Sequence, residues 1–349
     1  MNDASSGWYY KRNLSANNRI KQSDDSAATR ARFGPIETVT ALPSHSDLSA
    51  GQQLLDLSAS GRLDVVELAD PDPGFFKRTT DASFEPFHRF LSLPQIDWTD
   101  PNVKFIDLTG DGLADILIAE DGLFTFHASL GETGFDIAQL VRTPWDEEKG
   151  PKVVLADGTD TIFIADMSGD GLNDIVRVRN GEICYWPNIG YGRFGAKVTM
   201  DRAPRFDNEE GFDPRRIRLA DIDGTSAADL LYIGEDGVRA WFNQSGNSWS
   251  AATTIAVFPS ADLLSTVQAM DLLGTGTACL VWPSPLPAES AAPLLYVDLM
   301  DGRKPYLMVE VRNNLGAETR VTYAPSTRFY LDDKAEGQPS RRPTTAPNS

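Results

Sequence analysis

Short apolar runs alternate with polar turns along almost the whole chain. Around residue 170 the order is explicit: Ile162-Phe163-Ile164, an acidic stretch, then Ile175-Val176-Arg177-Val178-Arg179. The β-branched, period-two character of both flanks predicts strands. Asn180-Gly181 then signals a two-residue hairpin turn, and Glu182-Ile183-Cys184-Tyr185-Trp186 reads as an aromatic third strand. A glycine-rich loop, Gly190-Tyr191-Gly192-Arg193-Phe194, leads into a fourth strand, Gly195-Ala196-Lys197-Val198-Thr199-Met200. The same order recurs near 101 and 215, with Asp121-Gly122 and Asp236-Gly237 as the turn signals.

The acidic stretch supplies the repeat. Asp166-Met167-Ser168-Gly169-Asp170-Gly171-Leu172-Asn173-Asp174 has counterparts at 107–115 and 221–229, and eroded ones at 56–64 and 271–279. Their first residues, Asp56, Asp107, Asp166, Asp221 and Asp271, are 51, 59, 55 and 50 residues apart. A period of that length means stacked or radial repeats. Hairpin signals argue against the parallel rungs of a β-helix, so the chain reads as all-β, a β-propeller of four-stranded antiparallel blades. Complete units begin near 50, 101, 160, 215 and 266, and 7–35 looks like a half-unit entered in mid-blade. About six blades are expected, with five to seven possible and the last strands of the sixth drawn from 292–323. The propeller then covers 1–330, and 331–349 is expected to be a disordered tail.

Oxygen ligands at positions 1, 3, 5 and 9 of a nine-residue loop, with the carbonyl of position 7, can converge on one hard cation, and glycine at position 6 permits the sharp turn. The ion that suits is Ca²⁺ in a structural role, as in integrin-like propeller loops. The first loop offers Asp107, Thr109, Asp111, the Leu113 carbonyl and Asp115. The second offers Asp166, Ser168, Asp170, the Leu172 carbonyl and Asp174. The third offers Asp221, Asp223, Thr225, the Ala227 carbonyl and Asp229, but has Ser226 where glycine belongs, and is expected to bind more weakly. An EF-hand is excluded, since position 12 is Ile118, Arg177 or Tyr232 rather than glutamate and the flanks are strands. Asp/Gly-rich turns holding no metal remain the competing reading.

Composition narrows the function. The net charge of −18 over 349 residues makes nucleic acid an improbable partner. No apolar run approaches the length of a membrane span, and the first residues carry no secretory signal pattern. Cys184 and Cys279 fall in apolar segments and read as buried free thiols. His45, His88 and His127 have no metal or nucleophile spacing, His127 reads as a packed side chain, and no nucleophile elbow or phosphate loop is present. Catalytic and cofactor-binding residues are therefore expected to be absent. Tyr185, Trp186 and Trp241 could stack on a sugar, though such a stripe is more often the core between blades. The long connections 140–152 and 201–216 could carry a binding surface or be solvated insertions.

The runs Asp107–Asp115, Ile164–Asp174, Cys184–Met200, Phe242–Trp249 and Asn313–Thr327 resemble the SpvB/TcB family, over roughly residues 7–338. The loops alone also resemble the broader FG-GAP/VCBS repeats. That family includes the B component of insecticidal Tc toxin complexes and the N-terminal part of SpvB. The resemblance implies a secreted, non-catalytic scaffold. Its propeller docks a toxin-bearing cocoon, made with a C-type component, onto an A-type translocation component and gates passage of the toxic polypeptide. The chain departs from the family after Gly337-Gln338-Pro339, where a strand-rich continuation into the shell is expected, and the departure implies a truncation or altered reading frame. The alternative is a calcium-stabilised carbohydrate- or cell-adhesion-binding propeller.

Overall fold

The computed structural model describes residues 7–336, except 22–26, 44–51, 70, 80–82, 157, 209, 235–236, 256–265 and 284–293. Five antiparallel sheets follow one another along the chain. The first is β5 (Gln52–Leu55), β6 (Asp64–Glu67), β7 (Gly74–Phe76) and β8 (His88–Arg89). The second is β9 (Val103–Ile106), β10 (Asp115–Glu120), β11 (Leu123–His127) and β12 (Gln139–Arg142). The third is β13 (Ile162–Ala165), β14 (Asp174–Arg179), β15 (Glu182–Trp186) and β16 (Val198–Thr199). The fourth is β17 (Ile217–Ala220), β18 (Asp229–Gly234), β19 (Gly237–Trp241) and β22 (Thr253–Ile255), with a small β20 (Asn243–Gln244) and β21 (Ser248–Trp249) ribbon between its last two strands. The fifth has three strands among the described residues, β23 (Gln268–Met270), β24 (Cys279–Pro283) and β25 (Leu294–Asp298).

Among the described residues these meanders are five blades of a β-propeller, one short of the about six expected and within the five to seven possible. An N-terminal pair, β1 (Tyr9–Asn13) with β4 (Phe33–Thr38), stands apart from them and carries a β2 (Arg19–Lys21) and β3 (Ala27–Thr29) ribbon between its strands. At the other end, β26 (Glu310–Arg312) and β27 (Glu318–Arg320) form an exposed ribbon. A helix, α1 (Ser326–Ala335), with no buried residue, follows. Helical order therefore runs past residue 331, into the stretch expected to be a disordered tail, and 337–349 lies outside the described residues.

Apolar layers between successive blades form the core. In β14 the side chains alternate between two neighbours: Ile175 packs with Phe124 and Phe126 of the second blade, whereas Val176 and Val178 pack with Leu230, Tyr232 and Trp241 of the fourth. A blade is covered on both faces, which is why its middle strands are apolar at consecutive positions. The hairpin turns fall where the Asx-Gly pairs place them at 121–122 and 180–181, since Glu120 pairs with Leu123 and Arg179 with Glu182. In the fourth blade Gly237 instead pairs with Gly234, so Gly237 belongs to the third strand and not to the turn.

Candidate functional site

The acidic loops share one backbone geometry. In each, the first aspartate accepts N–H groups from its own turn: Asp107 from Gly110 and Gly112, Asp166 from Gly169 and Gly171, and Asp221 from Gly224, Thr225 and Ser226. The eroded copies keep it, with Asp56 accepting from Gly61 and Asp271 from Gly276. Position 6 is left-handed throughout: φ is 82° at Gly112, 88° at Gly171 and 78° at Ser226. Ser226 therefore adopts a conformation that disfavours any residue with a Cβ.

Position 9 points inward. Asp174 is fully buried and accepts the N–H of Met167 at 2.9 Å and of Asn188 at 2.8 Å. Asp115 does the same for Leu108 and Ser129, and Asp229 for Ile222 and Asn243. Each carboxylate staples the turn to the end of the third strand, always fourteen residues later. Burial pushes Asp174 up to about 6 and Asp229 up to about 7, with the neighbouring loop aspartates adding to the rise. At the fifth turn the ninth residue is Cys279, whose thiol is pushed up by burial to about 12 and is inert.

The candidate cation sites differ from one another. The carboxylates of Asp221, Asp223 and Asp229 lie within 4.8 Å of one another, and no other such group of three occurs among the described residues. The loop expected to be weakest thus has converging carboxylates, because its third position is Asp223 where the others have Thr109 and Ser168. The donor set at 221–229 suits a hard cation. In loop 107–115 the Thr109 hydroxyl is buried without a hydrogen-bond partner. Asp111 and Asp170 each accept the N–H two residues on, from Leu113 and Leu172. Lys304 runs across Gly224 and Gly276, bringing an ammonium to the 221–229 and 271–279 loops.

Both long connections are fastened to blades. In 140–152, Glu147 accepts from Arg177 at 3.0 Å and Lys197 at 3.2 Å, and its carbonyl accepts from the Trp186 indole at 2.8 Å. The two cations hold its carboxyl far down, at about 2. Two residues away, Trp145 is 88% exposed, with Lys152 Nζ 4.8 Å from its ring centroid. In 201–216, Phe206 is buried and stacks on Tyr232 with centroids 5.1 Å apart, anchoring a connection in which only Pro204 and Phe206 are buried among the described residues.

The aromatic third strands are core. Tyr185, Trp186 and Trp241 are all buried, which removes the sugar-stacking surface they could have offered. Cys184 and Cys279 are buried free thiols, and His127 is buried with Nδ1 2.9 Å from the Asp136 carbonyl. No described helix is long and apolar enough to cross a membrane.

Residues 243–347 match the family described as the insecticide toxin TcdB middle/N-terminal region. Over 96% of this chain the fold is similar to the Photorhabdus luminescens Tc holotoxin pore, at 26% identity and a TM-score of 0.76. A TcdB2–TccC3 complex without its hypervariable C-terminal region is similar over 96% at 25% identity, with a TM-score of 0.54. In both cases the chain spans 15% of the length of the chain it matches. An Agrocybe aegerita lectin that recognises non-reducing terminal N-acetylglucosamine shares the fold, at 18% identity and a TM-score of 0.50, over 79% of this chain and 74% of its own. No curated protein sequence matches the chain. The family match at 243–347 and the shared Tc fold along nearly the entire chain point the same way, and both support a likeness to the Tc toxin B/SpvB family.

Proposed function

We propose that this chain is a non-catalytic scaffold of a secreted Tc toxin complex. Its propeller docks a toxin-bearing cocoon onto an A-type translocation component and gates passage of the toxic polypeptide. The observation that carries the reading is the likeness to the Tc holotoxin pore over 96% of the chain. By topology the 140–152 and 201–216 connections lie at the end of the blades opposite the acidic turns. Trp145 on the first is the kind of rigid aromatic that dominates an interface. Ca²⁺ in the 221–229 loop, and in the 107–115 and 166–174 loops where Asp115 and Asp174 are already engaged, stiffens the ring without taking part in chemistry.

The test is binding of the purified chain to an A-type pentamer in calcium, with folding checked first by circular dichroism. Saturable binding without ADP-ribosyltransferase or hydrolase turnover is expected. A folded chain that fails to bind, or turnover that survives substitution of the loop aspartates, would overturn the reading. The carbohydrate-binding alternative gains no support from the lectin, whose identity to this chain is too low to carry more than the fold.

A further inference from the structure

The first strands of the blades are the innermost. β13 lies against β17, and β17 against β23. In a propeller the strands that converge from neighbouring blades are those around the central channel. They remain partly open: β9, β13 and β17 are each half-buried at three of four positions, whereas β14 and β18 are buried at five of six. Three residues ahead of each acidic turn, at the same register position, stand Gln53, Lys104, Phe163, Arg218 and Gln268. The charges at this level of the channel are therefore two cations, on the blades either side of Phe163.

A cavity of about 350 Å³ lies here, between the first strands of the second, third and fourth blades. That volume is in the range of small-ligand sites. Phe163 and Ile217 give it an apolar side, and Lys104, Asp160, Arg215 and Arg218 line it with charge. The charged groups are not equivalent. Arg215 is already held by Asp213 at 2.9 Å and also feels Asp160. Arg218 is fixed in orientation by carbonyls: its Nε donates to Val267 at 2.8 Å, and its Nη1 to Arg215 at 2.8 Å and Ile217 at 2.7 Å. The ammonium of the half-buried Lys104 has no hydrogen bond or ion pair among the described residues. Withdrawing a charge from water without a partner costs free energy, and an incoming anion removes that cost. In a chain of net charge −18, a cation left over inside a cavity needs such an explanation.

We propose that this cavity binds an acidic peptide segment, with a carboxylate on Lys104 and Arg218 and a neighbouring apolar side chain on Phe163. A free inorganic anion would use the cations and leave Phe163 and Ile217 idle. A peptide in which acidic and apolar residues alternate matches both kinds of wall. Arg215 belongs to the 201–216 connection, so the site opens toward the end of the blades that carries the long connections. Neither docking to an A-type component nor passage of a toxic polypeptide is presupposed, so this site and that function can fail separately.

The probe is a fluorophore-labelled pentapeptide, Glu-Leu-Glu-Leu-Glu, blocked at its ends and added to the wild-type protein. Binding by fluorescence anisotropy is read beside acetylation of the lysines by an N-hydroxysuccinimide ester, followed by mass spectrometry. Expected are saturable binding, at least tenfold weaker binding of the peptide with glutamine in place of glutamate, and at least tenfold weaker binding of the acidic peptide to Lys104→Gln. Lys104→Arg should keep the affinity. In the wild type the peptide should slow acetylation of Lys104 at least threefold and leave that of Lys304, beside the acidic turns, unchanged. The proposal is overturned by no saturable binding, by equal binding of the glutamine peptide, or by acetylation of Lys104 that the peptide does not slow. Displacement of the peptide by an equimolar amount of inorganic phosphate would also overturn it, and would make the cavity a site for free anions.

Discussion

The guanidinium of Arg177 lies over the indole of Trp186, 5.3 Å from guanidinium carbon to ring centroid, and from there holds the carboxylate of Glu147. A strand residue that is only 8% exposed at its side chain is thus charged, and an inter-blade connection is what satisfies it. Removing Glu147 leaves Arg177 with only the longer ion pair to Glu182 at 3.7 Å, while Lys197 keeps Glu148.

Glu147→Gln is therefore expected to destabilise the fold by about 1 kcal/mol at pH 7, since the Glu147 side chain is 42% exposed and solvent screens its ion pairs. The carboxyl is held below its usual 4.5, at about 2. Its contribution is then fully present above pH 4.5 and is lost as the pH falls through 2. Urea denaturation of wild type and variant should differ at pH 7 and converge toward pH 2. A constant gap across that window would show that Glu147 acts through packing alone.

Asp174→Ala should cost more than a surface aspartate. The change strands the N–H groups of Met167 and Asn188 in a buried site, and each unsatisfied buried group costs about 1–3 kcal/mol. Asp170→Ala, at an exposed turn position, serves as the comparison. Denaturant midpoints that shift equally for the two would contradict the staple.

Ser226→Gly should stabilise. At φ 78° a residue with a Cβ carries strain of about 1–2 kcal/mol, part of which glycine gives back through the entropy of its unfolded state. The expected net gain is about 1 kcal/mol, read as a higher melting temperature, and no gain would mean that the surrounding loop relaxes the strain.

Calcium should raise the melting temperature over that seen with chelator, by about 2.7 kcal/mol of stability for a site at a hundred times its dissociation constant. Asp223→Ala should remove most of that increment, because its carboxylate is one of the three that converge. Coincident melting curves for wild type in calcium and chelator would rule out structural metal.

Trp145→Ala should leave the melting temperature unchanged, since the ring is 88% exposed, and weaken binding to an A-type component at least tenfold, about 1.4 kcal/mol. Unchanged affinity would move the docking face elsewhere.

Much of the fold was legible because its signals are local. Units read as beginning near 50, 101, 160, 215 and 266 have first strands at Gln52, Val103, Ile162, Ile217 and Gln268. The aromatic third strands follow their glycines as the pattern requires. The acidic turns read as oxygen sets converging on a cation, and in the structure Asp115, Asp174 and Asp229 also accept backbone N–H groups with both oxygens. The constant fourteen-residue spacing to Ser129, Asn188 and Asn243 was present in the sequence, but nothing marks a main-chain donor by residue type. Glu147 was missed for another reason. Its partners Arg177 and Lys197 lie 30 and 50 residues away, and only the folded blade brings them together.

The contact from Asn13 to Leu272 spans 259 residues, whereas each aspartate staple spans 14. Closing the longer loop costs roughly 2.6 kcal/mol more chain entropy on a logarithmic scale, and contacts of high sequence separation form slowly. The blades can thus assemble one after another along the chain, each held by its own carboxylate, before the two ends of the row meet. The contacts between the two ends of the row are therefore expected to be the slowest of these to form.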